Sequence, residues 1–228
     1  MRPDSVMIFA AGFGTRMGHL TKDRPKPLIP VAGKPLIDHA LDLLDGQGFQ
    51  TVVANLHYLP DQIRTHLSDR EILFSDETTQ ILETGGGLKA ALPLLGAGPV
   101  ITMNTDAVWA GPNPIPMLLE AWNPERMDAL LMCVPRDNAV GHAGQGDFLL
   151  DRAGCLRRGP GLVYSGVQII KTDLLTSITE PVFSLNILWN HMLEQKTAFG
   201  IPYPGHWCDV GHPAGITLAE TMIGEADV

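Results

Sequence analysis

Cysteine is scarce in this chain. The three present, Cys133, Cys155 and Cys208, are odd in number and widely spaced. That excludes a disulfide framework and a paired-cysteine metal motif, and reduced thiols in a cytoplasm are the simplest account. Positive charge is short as well, with 16 Lys and Arg against 25 Asp and Glu and a formal net charge of −9. General nucleic-acid binding needs a basic face and is not expected, so an anionic ligand has to be held by a local cluster of cations. No apolar run approaches the ~20 residues that cross a bilayer, so no membrane partner is expected. The first apolar run starts within five residues of Met1, which leaves no room for a signal peptide and again points to the cytoplasm. Internal repeats, an interdomain linker and a hexapeptide β-helix are also missing. The remainder is 228 residues, 45% hydrophobic and 18% charged, which fits one α/β domain with a substantial core.

Two glycine-rich phosphate loops are absent too. No Gly-x4-Gly-Lys-Ser/Thr run occurs, so there is no P-loop. A dinucleotide fingerprint needs Gly-x-Gly-x-x-Gly opening a helix, but here Gly18 falls one position late and Pro25 and Pro27 bar a helix downstream. In their place stand Val6, Met7, Ile8 and Phe9, a buried-strand pattern, followed by Ala10, Ala11, Gly12, Phe13, Gly14, Thr15 and Arg16. Small side chains let the backbone approach a ligand, and successive N–H groups in such a turn form a concavity suited to phosphate oxygens. Arg16 and Lys26 add a planar fork and a mobile point charge, a pair suited to a polyphosphate. The pattern predicts a nucleoside-triphosphate site.

Beyond this turn the spacing predicts a helix over 35–45, closed by Gly46 and Gly48. A strand over 51–56, a helix over 59–67 and a short strand over 72–74 come next. Strand and helix alternating in this way argue for a parallel sheet with helices on both faces. Leu82, Glu83, Thr84, Gly85, Gly86 and Gly87 then precede a helix over 88–95, and three glycines ahead of a helix suit a flat base lying against backbone. Glu77 and Gln80 are weaker candidates for base or ribose contacts. A strand over 100–104 ends at Asn104, Thr105 and Asp106, at the carboxyl edge where ligands of open α/β sheets collect.

Further on, a loop and helix fill 112–122 and an interior strand 129–134. A polar glycine-rich insert over 136–147, with His142, Gly144, Gly146 and Asp147, reads as the wall of a second subsite. His142 has no second histidine or cysteine at ligand spacing, so zinc is not expected. Strands over 148–150 and 162–170, joined by a turn-rich 151–161, read as an antiparallel pair, with Ser165 inside it between Tyr164 and Gly166. Ser184 caps a helix to about 195, with Trp189 on its buried face. A last helix over 214–223 is stopped by Gly224.

The run Ala10 to Met17 followed by Arg24-Pro25-Lys26-Pro27-Leu28 resembles the signature of the sugar-1-phosphate nucleotidyltransferases. Further matches are Leu82 to Gly87, Asn104-Thr105-Asp106, Gly146-Asp147-Phe148, Tyr164-Ser165-Gly166 and Trp207-Cys208-Asp209-Val210-Gly211, so the resemblance spans nearly the whole chain. Within that family it looks most like the short N-acetylmuramate-1-phosphate uridylyltransferases of peptidoglycan recycling. The resemblance implies a single-domain, three-layer α/β/α Rossmann-like nucleotidyltransferase fold with a mostly parallel mixed sheet. Residues 1–110 would be its nucleotide-binding half and 111–228 its sugar-phosphate half. It implies Mg²⁺ as cofactor on Asp106 and Asp209. Arg16 would hold the β- and γ-phosphates and Lys26 would bridge the α-phosphate and the sugar phosphate. Thr105 departs from the family, which more often has Gly or Ser there.

The implied reaction joins a nucleoside triphosphate, UTP by preference, to a sugar 1-phosphate in a monomer or homodimer. Mannose 1-phosphate with GTP, or glucose 1-phosphate with UTP or dTTP, are alternatives within the same chemistry. A muramic acid acceptor carries a lactyl carboxylate, for which Arg136, Arg157, Arg158, His142 and His206 are all candidate cations. A phosphocholine transferase would call for an aromatic box, and three tyrosines and four tryptophans show no clustering in the sequence. A regulatory nucleotide-binding module would be favoured if Lys26 or the two aspartates were missing, and all three are present.

Overall fold

A computed structural model describes residues 1–226. Seven strands build the central sheet: β1 (Ser5–Phe9), β2 (Thr51–Leu56), β3 (Leu73–Asp76), β4 (Val100–Asn104), β5 (Ala129–Val134), β6 (Val163–Ile170) and β7 (Ala198–Pro202). They run in the order β7-β5-β6-β4-β1-β2-β3. All point the same way except β6, which is antiparallel to both β4 and β5. This is the mostly parallel mixed sheet expected. The helices are α1 (Leu36–Asp42), α2 (Pro60–His66), α3 (Glu83–Leu95), α4 (Pro114–Ala121), α5 (Asn186–Glu194) and α6 (Pro213–Ala226).

The three layers follow from side-chain alternation along buried strands. In β1, Val6 and Ile8 face one way and pack with Ile37 and Leu41 of α1, Ile63 of α2 and Leu118 of α4. Met7 faces the other way, onto Leu88 and Ala91 of α3 and Leu188 and Met192 of α5. Burying such a side chain stabilises the fold by roughly 1.5–3 kcal/mol, so both faces of the sheet are fully used. A third, smaller cluster joins Met17 to Val108, Cys208 and Ala219 under α6.

Beside the central sheet lies a three-stranded one formed by Ala107–Ala110, His206–Asp209 and Ala139–Val140. Its antiparallel pairing sets Asp209 opposite Ala107, the residue after Asp106.

Several boundaries differ from the sequence expectation. Gly85, Gly86 and Gly87 lie inside α3 rather than ahead of it. A Cβ at Gly85 would sit 2.4 Å from the Phe183 ring, and one at Gly86 would sit 2.2 Å from the Pro181 carbonyl. Close packing thus requires glycine in a helix, against its propensity. The antiparallel partner of Phe148–Leu150 is Leu156–Arg158, within the stretch expected to be turn, while Leu162 touches Phe148 only through one isolated bridge. α1 ends at Asp42, three residues early, and α6 runs through Gly224 to Ala226. The edge strand β7 has no counterpart in the sequence expectation.

Candidate active site

The turn after β1 faces a cavity of about 410 Å³ at the carboxyl ends of β1 and β4, with Ala10, Ala11, Gly12, Lys26, Asn55, Glu77, Thr84, Asn104 and Asp106 in its lining. Among the described residues, the N–H groups of Gly12, Phe13 and Gly14 donate to no protein acceptor, which leaves them for a ligand. Gly14 has φ 63°, and a Cβ there would lie 2.8 Å from the Lys26 Cβ. The turn therefore closes against Lys26 only because that side chain is missing. The Lys26 backbone enters a short 3₁₀ turn, Lys26–Leu28, after Pro25, and its Nζ reaches Asp106 Oδ2 at 3.0 Å.

Asp209 is brought to the same place by the small sheet. The Val210 N–H donates to the Asp106 carbonyl at 2.8 Å, locking the two aspartate segments together. Burial pushes the Asp209 carboxyl above its ordinary value and the Asp106 charge adds to this, while Lys26, Arg16 and His142 pull it down. Arg16 completes the group. A Cβ on Gly211 would lie 3.1 Å from Arg16 Nη2 and 3.0 Å from Asp209 Oδ2. Two carboxylates and two cations from three well-separated stretches of the chain thus converge at one sheet edge. The Thr105 hydroxyl points away from them, donating to the Phe9 carbonyl at 3.0 Å and tying β4 to β1.

The remaining predicted residues fall into two places. Glu77 lies in the cavity wall, with its carboxylate accepting from Asn55 Nδ2 at 2.7 Å and from the Leu82 N–H at 3.1 Å. Thr84 Oγ1 accepts from the Leu185 N–H, and the Gly85 N–H donates to the Phe183 carbonyl. Gly146, Asp147 and Ser165 sit outside the cavity lining. Asp147 Oδ2 accepts from the Tyr164 N–H at 2.8 Å, and Gly146 presses on the Gly161 backbone. Ser165 is buried, its hydroxyl donating to the Met132 carbonyl and its own carbonyl accepting from Trp207 Nε1. Trp189 is core as expected, with its indole N–H on Gln168 Oε1 at 2.9 Å.

Sequence reasoning missed Asn55. Its Oδ1 accepts from the Ala10 N–H at 2.8 Å while its amide donates to Glu77. Asn55 and Glu77 therefore join the phosphate turn to the start of α3 through buried hydrogen bonds. An asparagine closing a buried parallel strand was the available signal. Asn55→Ala orphans the Ala10 donor and one Glu77 oxygen, each at about 1–3 kcal/mol. The expected result is a loss of about 2–4 kcal/mol of stability and a raised KM for nucleotide. Denaturant unfolding and initial rates test this, and stability within ~0.5 kcal/mol of wild type would contradict it.

A turn with unpaired N–H groups, two carboxylates and two cations at the carboxyl edge of an open sheet suit a nucleotidyl-transferring enzyme. Residues 6–213 match the model of the MobA-like NTP transferase domain, and the chain belongs to that family. An N-acetylmuramate α-1-phosphate uridylyltransferase of Caulobacter vibrioides is 42% identical over 239 residues, covering 98% of this chain and 98% of its own. A second one, from Neisseria meningitidis serogroup B, is 35% identical over 229 residues, covering 96% of this chain and 98% of its own. Among solved structures, a Bacillus anthracis protein provisionally assigned as a glucose-1-phosphate thymidylyltransferase superposes with a TM-score of 0.81. That match covers 98% of this chain and 96% of the other at 15% identity, a likeness of fold. Among the described residues no helix is long and apolar enough to cross a membrane.

Proposed function

We propose that this sugar-1-phosphate nucleotidyltransferase uses UTP and N-acetylmuramate 1-phosphate, with Mg²⁺, to give UDP-N-acetylmuramate and pyrophosphate. The reaction is carried by the convergence of Arg16, Lys26, Asp106 and Asp209 beside the phosphate turn. The choice of sugar and nucleotide is supported by the two uridylyltransferases that align along nearly the whole chain.

The attacking sugar phosphate is already an anion near neutral pH, so no general base is required. Catalysis then consists of aligning two mutually repelling anions and stabilising charge on the leaving group. Residues 1–110 contribute the nucleotide side. The N–H groups of Gly12 to Gly14 take phosphate oxygens, the start of α3 faces the base, and Arg16 holds the departing phosphates. Residues 111–228 contribute the acceptor side. Lys26 stands between the two and exchanges its bond with Asp106 for the incoming phosphates.

Asp106 and Asp209 fit a hard divalent ion: the Val210 N–H on the Asp106 carbonyl ties their segments together, the Asp106 charge acts on the Asp209 carboxyl, and burial raises the cost of leaving that charge unpaired. When bound, Mg²⁺ supplies charge neutralisation at the phosphates. Among the described residues no group of three or more His, Cys, Asp or Glu forms a dedicated cage. That donor set suits an ion that completes its shell with substrate and water.

Pyrophosphate release from a matrix of UTP, dTTP and GTP against N-acetylmuramate, glucose and mannose 1-phosphates tests the reading. The highest kcat/KM is expected for UTP with N-acetylmuramate 1-phosphate, and a higher value for GTP with mannose 1-phosphate would overturn it.

A further inference from the structure

The acceptor proposed above differs from common sugar phosphates by a lactyl carboxylate, and the fold separates the cations that could receive it. His206 opens the strand that ends in Asp209, about 10 Å away at ~3.3 Å per residue. Arg136 belongs to a 3₁₀ turn, Arg136–Asn138, that Asn138 ties to the Gly205 carbonyl near that same far end. His142 stands close enough to Asp209 to act on its charge, so a ligand carboxylate there would meet the metal-binding acids. Arg157 pairs with Leu149 across the hairpin while Arg158 pairs with Phe148, so the pleat sends the two arginines to opposite faces.

Arg158 is placed differently. Its guanidinium lies 4.8 Å over the Phe148 ring and 5.6 Å from the Trp189 ring centre. Its Nη2 donates to the side-chain oxygens of Asn186 and Asn190. Asn186 in turn donates through Nδ2 to Ser184 Oγ at 2.9 Å, and Ser184 is part of the cavity wall. Among the described residues Arg158 makes no ion pair, and neither Nη1 nor Nε has a protein acceptor. The nearby Asp147 has its Oδ2 on the Tyr164 N–H. Arg158 is thus a cation held in place by aromatic faces and neutral amides, with donors unspent, next to the cavity mouth. A carboxylate is the ligand that such a planar fork matches.

We propose that Arg158 receives the lactyl carboxylate and that the Phe148–Arg158 hairpin selects an acidic sugar 1-phosphate over its neutral counterpart. This rests on N-acetylmuramate 1-phosphate being the acceptor. The test is calorimetric binding of N-acetylmuramate 1-phosphate and of N-acetylglucosamine 1-phosphate, which lacks the lactyl group. Both are titrated into enzyme holding Mg²⁺ and a non-reactive UTP analogue.

Wild type is expected to favour the acidic sugar by about tenfold or more, Arg158→Gln to bring the ratio to within about threefold, and Arg158→Lys to fall between. Unfolding temperatures of the variants show that the fold is kept, and the lysine variant keeps the charge over the aromatic faces if glutamine unsettles them. An unchanged ratio in Arg158→Gln overturns the assignment of Arg158 while leaving the acceptor intact. Failure of wild type to turn over N-acetylmuramate 1-phosphate with any nucleotide overturns the acceptor, and this assignment with it.

Discussion

Lys26→Ala lowers turnover by about 10²–10³-fold, the loss seen when one preorganised charge-stabilising donor is removed from an acyl-transfer site. The side chain is only 12% exposed and bonded at 3.0 Å to Asp106, which is 32% exposed, so its position is fixed before substrate arrives. Because the pair is partly open to solvent, its contribution to folding is small, of order 1 kcal/mol or less. The unfolding midpoint is therefore expected to stay within a few degrees of wild type. Metal affinity moves in the opposite direction to turnover. Without the ammonium, Asp106 and Asp209 lose a competing cation, so apparent Mn²⁺ or Mg²⁺ affinity in the absence of nucleotide is expected to hold or rise. Single-turnover kinetics and metal titration together separate this from a folding defect. Turnover within about threefold of wild type would show that Lys26 only balances Asp106.

How far this arrangement is legible in the sequence depends on the range of the interaction that creates it. The phosphate turn is readable because its cause is local: four large apolar residues specify a buried strand, and the small residues after it leave backbone exposed. Asp106 is readable because the end of a parallel strand is a predictable place. The position of Asp209 beside it is not, because it depends on pairing His206–Asp209 with Ala107–Ala110 across about a hundred residues. Only the family resemblance suggested it.

Gly85 to Gly87 mislead for the opposite reason. Local propensity argues against helix, and contact with Phe183, Pro181 and Glu77 overrides it: a Cβ at Gly87 would sit 2.6 Å from Glu77 Oε1. Asn55 escapes notice because, inside the strand expected over 51–56, a single polar residue carries no local sign of the partners it will meet. Its role appears only when Ala10 and Glu77 are on either side of it. The Leu156–Arg158 strand is hidden among turn residues, and aromatic faces of Phe148 and Trp189 give its arginine an apolar seat.

Neutralising either carboxylate proposed to hold the metal is expected to cost turnover heavily while sparing stability. Asp106→Asn and Asp209→Asn keep the shape of the site and remove one charge each, and turnover should fall by about 10²–10⁴-fold in both. Asp106 also holds Lys26, so Lys26→Ala combined with Asp106→Asn should lose far less than the product of the single losses.

The stability effect of Asp209→Asn has a definite sign. Burial and the neighbouring Asp106 raise the folded-state pKa of Asp209, so the folded protein binds that proton more readily than the unfolded chain does. Stability then falls as pH rises through the window between the two values, and the deficit is complete above the folded-state value. Asparagine removes that deficit. The metal-free Asp209→Asn variant should therefore unfold at the same temperature as wild type or higher at pH 7, while Mg²⁺ should raise the unfolding temperature of wild type more than that of the variant. Scanning calorimetry with and without Mg²⁺, run beside pyrophosphate release, decides the point. A variant that is markedly less stable without metal would place Asp209 among the groups that hold the fold together.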